Sequence, residues 1–100
     1  MKIGIINKHR ASITFKRSYS RHLLESLSVT SSQADVISSL VMGDNQIAHS
    51  IGWLYSNNCT VTTSIDIDYN IASMSYDVFF KLTVHSANIE EVVTFLSLSG

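Results

Sequence analysis

The sequence predicts a single α+β domain over residues 1–100: an antiparallel sheet of about four strands with helices packed on one face, in the order ββαααββα. Three observations carry this expectation. The stretch from Thr60 to Val84, TVTTSIDIDYNIASMSYDVFFKLTV, alternates apolar and polar residues through two long runs, as half-buried strands do. Residues 18–56 switch to the spacing of amphipathic helices. A share of 45 % apolar and 15 % charged residues is enough for one core and far from a disordered composition.

Taken in order, KIGIIN (2–7) and ASITFK (11–16) are β-type runs; Ile13 and Phe15 share one face, and Ser12, Thr14 and Lys16 the other. Lys8, His9 and Arg10 are expected to close a hairpin between them, with one long bent strand as the alternative. From Ser18 the period becomes helical: Leu23, Leu24 and Leu27 follow, with Ser18 or Ser20 as N-cap. The SVTSS of residues 28–32 ends that helix. Ser32 and Asp35 then form an S-x-x-D start signal. Val36, Ile37, Leu40 and Val41 fall on one face of the helix that follows. Gly43 is a stop and Asp44 a new N-cap. Ile47, Ile51 and Leu54 continue at i, i+4 and i+7, and Ser56, Asn57 and Asn58 close this piece because asparagine tolerates left-handed backbone. A single helix over 33–56, kinked at Gly43, is the alternative.

In the two long runs Cys59, Val61, Thr63, Ile65, Ile67 and Tyr69 point one way, as do Met74, Tyr76, Val78, Phe80, Leu82 and Val84 in the second. Their apolar faces coincide only if odd positions of the first oppose even positions of the second. The turn is expected within residues 70–73. SANIEEVVTFLSLSG reads as a C-terminal helix capped by Ser86 or Asn88, with Asn88 and Glu91 at capping-box spacing and Glu90 and Glu91 in the first turn, where the helix dipole favours acids. Ile89, Val92, Val93 and Leu96 face the core, with Phe95 at the stripe's edge.

Several function classes find no support. The lone Cys59 excludes an internal disulfide and fits a reducing compartment. MKIGIINKHR has no apolar run of signal-peptide length, and no window approaches the ~20 apolar residues of a membrane span, so a cytoplasmic location is expected. Neither G-x-G-x-x-G nor G-x-x-x-x-G-K occurs. His9, His22, His49 and His85 show no compact ligand spacing, and Asp66-x-Asp68 lacks the glycine and spacing of a calcium loop. No metal, no cofactor and no enzyme activity are expected.

Charge gives the functional lead. Residues 1–21 hold Lys2, Lys8, Arg10, Lys16, Arg17 and Arg21 without an acid, and residues 22–100 hold Lys81 against eight acids: +6 followed by −7. Asp66, Asp68 and Asp77 fall on the outward side of the long strand pair, with Phe79 among them. A tight turn sets Asp66 opposite Asp77; a shift by two residues sets Asp68 there; a wider loop sets Asp66 opposite Lys81. Like charges directly opposed destabilise a sheet, so their retention suggests a surface for a basic partner, against the blander reading of edge protection. The expected site is therefore Asp66, Asp68, Asp77 and Phe79, helped by Glu90 and Glu91. The expected function is that of a small protein-binding inhibitor. Small bacterial immunity proteins, many of which neutralise a basic nuclease toxin with acids, have this make-up; the likeness is one of class and not of motif. One alternative is a nucleic-acid-binding accessory protein using Lys8, Arg10, Lys16, Arg17 and Arg21. Another is a homo-oligomer in which the basic N-terminal hairpin meets the acidic sheet of a neighbour.

Overall fold

The computed structural model describes residues 1–30 and 32–99, with backbone alone for 28–30 and 99. The elements are β1 (Lys2–Asn7), β2 (Arg10–Ser20), α1 (Arg21–Thr30), α2 (Gln33–Met42), α3 (Asn45–Ser56), β3 (Thr60–Asn70), β4 (Ser75–His85) and α4 (Ile89–Ser99). The order ββαααββα and the four-stranded antiparallel sheet agree with the pattern of the sequence. The strands lie in the order β1-β2-β4-β3, so the two hairpins join through their second strands and β1 and β3 form the edges.

Local chemistry sets most element boundaries. The β1–β2 link shortens to Lys8 and His9, with the His9 amide held by Asn7 Oδ1 at 2.9 Å. Ser20, rather than Ser18, begins α1: its Oγ accepts from the Leu23 amide. Ser18 lies inside β2, which continues four residues beyond the expected end at Lys16. The break expected at 28–32 is narrower, because α1 runs to Thr30; Ser31 lies outside the described residues. Ser32 caps α2 and Asp44 caps α3 through the amides of Asp35 and Ile47. Two separate helices therefore form, as the Gly43 stop and Asp44 cap imply, and not the alternative single kinked one. Asn58 adopts a φ of 60° after α3, the left-handed closure expected of an asparagine. Asn88 caps α4 by accepting from the Glu91 amide, and its Nδ2 donates to Glu91 Oε2 at 2.8 Å.

One expectation at the second hairpin fails. Met74 does not continue the inward row of β4. It sits in the turn with a φ of 53° and 64 % exposure, and the strand starts at Ser75. Asn70 Oδ1 accepts from the amides of Ala72 and Ser73 and organises the turn.

The core lies between the inner sheet face and the helices. Phe15 and Phe80 oppose each other at the centre, both fully buried, each burial worth roughly 1.5–3 kcal/mol. Ile13, Leu82, Val78 and Val84 extend the row, and Leu24, Val36, Leu40, Ile47, Leu54, Ile89, Val92 and Leu96 close it from the helices. α1 packs on β2 and β4, α3 on β3, and α4 on β1 and β2. The opposite sheet face carries no helix. No helix among the described residues is long and apolar enough to cross a membrane.

Candidate functional site

The uncovered face is built by the even positions of β2 and β3 and the odd positions of β4. Three rows across it hold the chemistry. In the first, Thr14, Lys81 and Ser64 are aligned; in the second, Lys16, Phe79 and Asp66; in the third, Ser18, Asp77 and Asp68. Of the three registers open to the sequence, the structure takes the one that sets Asp68 opposite Asp77. Odd positions oppose even ones, as the apolar stripes require.

The acids are treated unequally by their neighbours. Asp66 is one row away from Lys81 and meets it diagonally, Oδ2 to Nζ at 2.7 Å. Both side chains are exposed, so the pair contributes about 0–1 kcal/mol. Among the described residues the Asp77 side chain accepts from the Ser18 hydroxyl alone, at 2.9 Å. Among the described residues no cation pairs with Asp68 or Asp77. Phe79, half-buried, lies between the first and third rows with Lys16 Nζ 5.8 Å from its ring centre. Two more cations, Lys2 and Arg10, occupy the same face beside Thr14 and His85. The face as a whole is therefore of mixed sign. Its acidic part is one corner, at the turn end of β3 and β4.

Glu90 and Glu91 do not belong to this corner. They open α4, in the helix layer, after β4 has run back to the opposite end of the sheet. Glu91 is tied to Asn88, and Glu90 borders a cleft with Ile5 and Lys8.

The basic set is dispersed as well. Lys8 and Arg10 stand at one end of β2, and Arg21 follows the other end, about 34 Å away along an eleven-residue strand. Lys16 faces outward, whereas Arg17 faces the helices. Arg17 Nε donates to Asp44 Oδ2 at 2.7 Å, its Nη2 to Gln46 Oε1, and its guanidinium lies 5.5 Å from the Phe15 ring. Burial pulls the Asp44 carboxyl upward. The Arg17 hydrogen bond, the Ile47 amide and the Arg17 charge outweigh it, and the group lies below its ordinary range. Arg21 Nε donates to Glu25 Oε1 at 2.9 Å, which lowers the Glu25 carboxyl. The excess charge of the first 21 residues is thus partly met by acids from the rest of the chain.

Sequence reasoning missed one arrangement on the inner face. Because β2 reaches Ser20, Tyr19, Tyr76 and Tyr69 align across three strands. The rings of Tyr69 and Tyr76 are 5.0 Å apart, Tyr76 Oη donates to Glu25 at 3.2 Å, and Arg21 lies 6.0 Å from the Tyr69 ring. The signal was present: Ile13, Phe15, Arg17 and Tyr19 keep period two beyond Lys16.

Elsewhere, Trp53 of α3 stacks on Phe95 of α4 with ring centres 3.9 Å apart and planes 3° apart. They floor an open cleft of about 440 Å³ that also meets Asn57, Asn88 and Leu98. Among the described residues no group of three or more His, Cys, Asp or Glu side chains is placed to hold a metal ion. Compared with protein-family models, curated proteins and solved structures, the chain shows no significant match to any.

Proposed function

We propose that this protein is a cytoplasmic, non-catalytic binding module that inhibits a basic protein partner by docking the acidic corner of its uncovered sheet face. The reading rests on one observation above all. Among the described residues, Asp68 and Asp77 oppose each other without a cation of their own, beside a half-buried Phe79, on a face that no helix covers.

Opposed carboxylates cost a sheet a few tenths of a kcal/mol or more. A lysine or arginine from a partner, placed between the two, removes that repulsion and donates to both carboxylates at once. Phe79 supplies the apolar contact that a recurrent hot spot needs at its centre. Asp66, already engaged by Lys81, serves as the rim. The class of partner is a protein with a basic active surface, of which a bacterial nuclease toxin is the example that fits an immunity-type inhibitor. The cations Lys8, Arg10, Lys16, Arg17 and Arg21 share no single surface, so nucleic-acid binding has no comparable seat.

The test is affinity capture at two salt concentrations with three baits: the native chain, Asp68→Lys with Asp77→Lys, and Glu90→Lys with Glu91→Lys. A basic protein retained by the first and third baits and lost by the second is expected. Its activity should then fall to the background at a one-to-one ratio with the native chain. Equal recovery on all three baits removes the acidic corner from the binding surface. A captured enzyme that stays fully active in excess native chain removes the inhibitor reading.

A further inference from the structure

We propose that two copies of this chain pair through β3, antiparallel about a two-fold axis at Ile65, and so merge their sheets into one of eight strands.

The two edges of the sheet are unlike. β1 is six residues long, opens with Lys2, and carries a register shift between Ile5 and Asn7. Short length, a lysine and an irregularity are the usual defences of an exposed edge. β3 has none of these three, and its only charges are Asp66 and Asp68 on the outer face. It runs for eleven residues in unbroken register with β4 and contains no Pro, Gly or Lys. Apart from the Val61 carbonyl, which already accepts from Tyr55 Oη, its free side offers a row of backbone donors and acceptors.

The charges on β3 select a register. With the axis at Ile65, all eleven residues pair. On the outer face Ser64 opposes Asp66 of the second copy, Thr62 opposes Asp68, and Thr60 opposes Asn70. On the inner face Ile65 meets Ile65, Thr63 meets Ile67, and Val61 meets Tyr69. Every carboxylate then faces a hydroxyl. Moving the axis to Asp66 opposes Asp66 with its own copy, and moving it to Ile67 opposes Asp66 with Asp68 twice. Moving it to Ser64 avoids like charges but leaves two residues of each strand unpaired. Full length and freedom from carboxylate pairs coincide in one arrangement, which gains about one backbone hydrogen bond per residue pair.

The inner face supports the same arrangement. Ile67 and Tyr69 point to the helix side, yet each remains 42 % exposed. The helix that packs on β3 is α3, and its last turn reaches the other end of the strand, where Tyr55 Oη donates to the Val61 carbonyl at 3.4 Å. A two-fold at Ile65 brings the exposed Ile67 and Tyr69 of one copy beside the α3 end of the other, twice. The assembly also closes. After pairing, both outer edges are the defended β1, so growth stops at two copies.

The test is sedimentation over a concentration series for the native chain, Thr62→Lys and Thr62→Asp. Thr62 is exposed and faces Thr83 within its own chain, so neither new side chain has to enter the core. In the dimer it opposes Asp68 of the second copy, and symmetry doubles the effect. Thr62→Lys is expected to lower the dimer dissociation constant about two- to thirty-fold, and Thr62→Asp to raise it by a similar factor. Amide hydrogen exchange on the native chain should show β3 protection that grows with concentration. A Thr62→Lys protein that remains monomeric throughout overturns the proposal. So does a dimer whose strength is the same in both variants, or one that forms while β3 exchange stays independent of concentration. The dimer seam takes in Asp68 but leaves Asp77 and Phe79 on the open outer face, so Asp77→Lys alone probes the docking corner without touching the seam, and the Thr62 variants probe the seam.

Discussion

Asp68 and Asp77 are directly opposed across the β3–β4 ladder, and among the described residues the side-chain hydrogen bond they receive is that of the Ser18 hydroxyl to Asp77. Replacing one carboxylate by its amide keeps the shape and removes the repulsion. Asp68→Asn is expected to raise the unfolding free energy by about 0.2–1 kcal/mol. Urea denaturation at low and high sodium chloride checks this: the native chain should gain stability with salt, which screens exposed like charges, and the variant should gain less. The same variant should bind a basic partner more weakly. A more stable protein that binds less well is the signature of a charge pair kept for contact.

The Arg17–Asp44 pair joins the end of β2 to the start of α3 and governs acid stability. Asp44 is held below the ordinary carboxylate range. Its stabilising effect is therefore complete above the unfolded value near 3.8 and is lost as pH falls through the lower folded value. Asp44→Asn retains the helix cap and should flatten the stability–pH curve below about pH 5. Arg17→Met leaves a half-buried carboxylate without its partner and should cost about 1–3 kcal/mol at neutral pH. Thermal unfolding at a series of pH values for the three proteins tests both statements.

Trp53 is the only tryptophan, and its stacking on Phe95 makes it a reporter of the α3–α4 contact. Phe95→Ala removes the stack, worth about 0.5–1.5 kcal/mol, together with the burial of a ring that is 41 % exposed. The native emission maximum should move to longer wavelength as water reaches the indole. Phe95→Leu, which keeps an apolar cover, should move it less. Emission spectra and denaturation midpoints of the two variants separate stacking from simple cover.

How far the sequence reached is clearest in β2 and β4. The alternation from Tyr76 to Val84 placed each of those residues on its correct face, and Asn88, Asp44, Ser32 and Ser20 marked helix starts through side chains that bind amides three residues on. These are local effects, readable from neighbours along the chain. Arg17 and Tyr19 were missed because a cation in an inward position looks like the end of a strand until Asp44, twenty-seven residues away, is seen beside it. Met74 was misplaced because the turn takes four residues and puts a non-glycine residue into left-handed backbone, a choice made by the whole hairpin.

Sequence alone determined that β3 and β4 hide their apolar sides together and that odd positions oppose even ones, since any other parity turns a greasy face to water. It also determined that Asp66, Asp68 and Asp77 share the wet side. Only the tertiary structure decided that Asp68, and not Asp66, meets Asp77, because that depends on the turn. Only the tertiary structure set β2 beside β4, which brings Lys16 over Phe79, and carried Glu90, Glu91 and most of the arginines elsewhere. Strand order and ion pairing between distant segments come from the packing of one shared core, and no window of the chain contains that information.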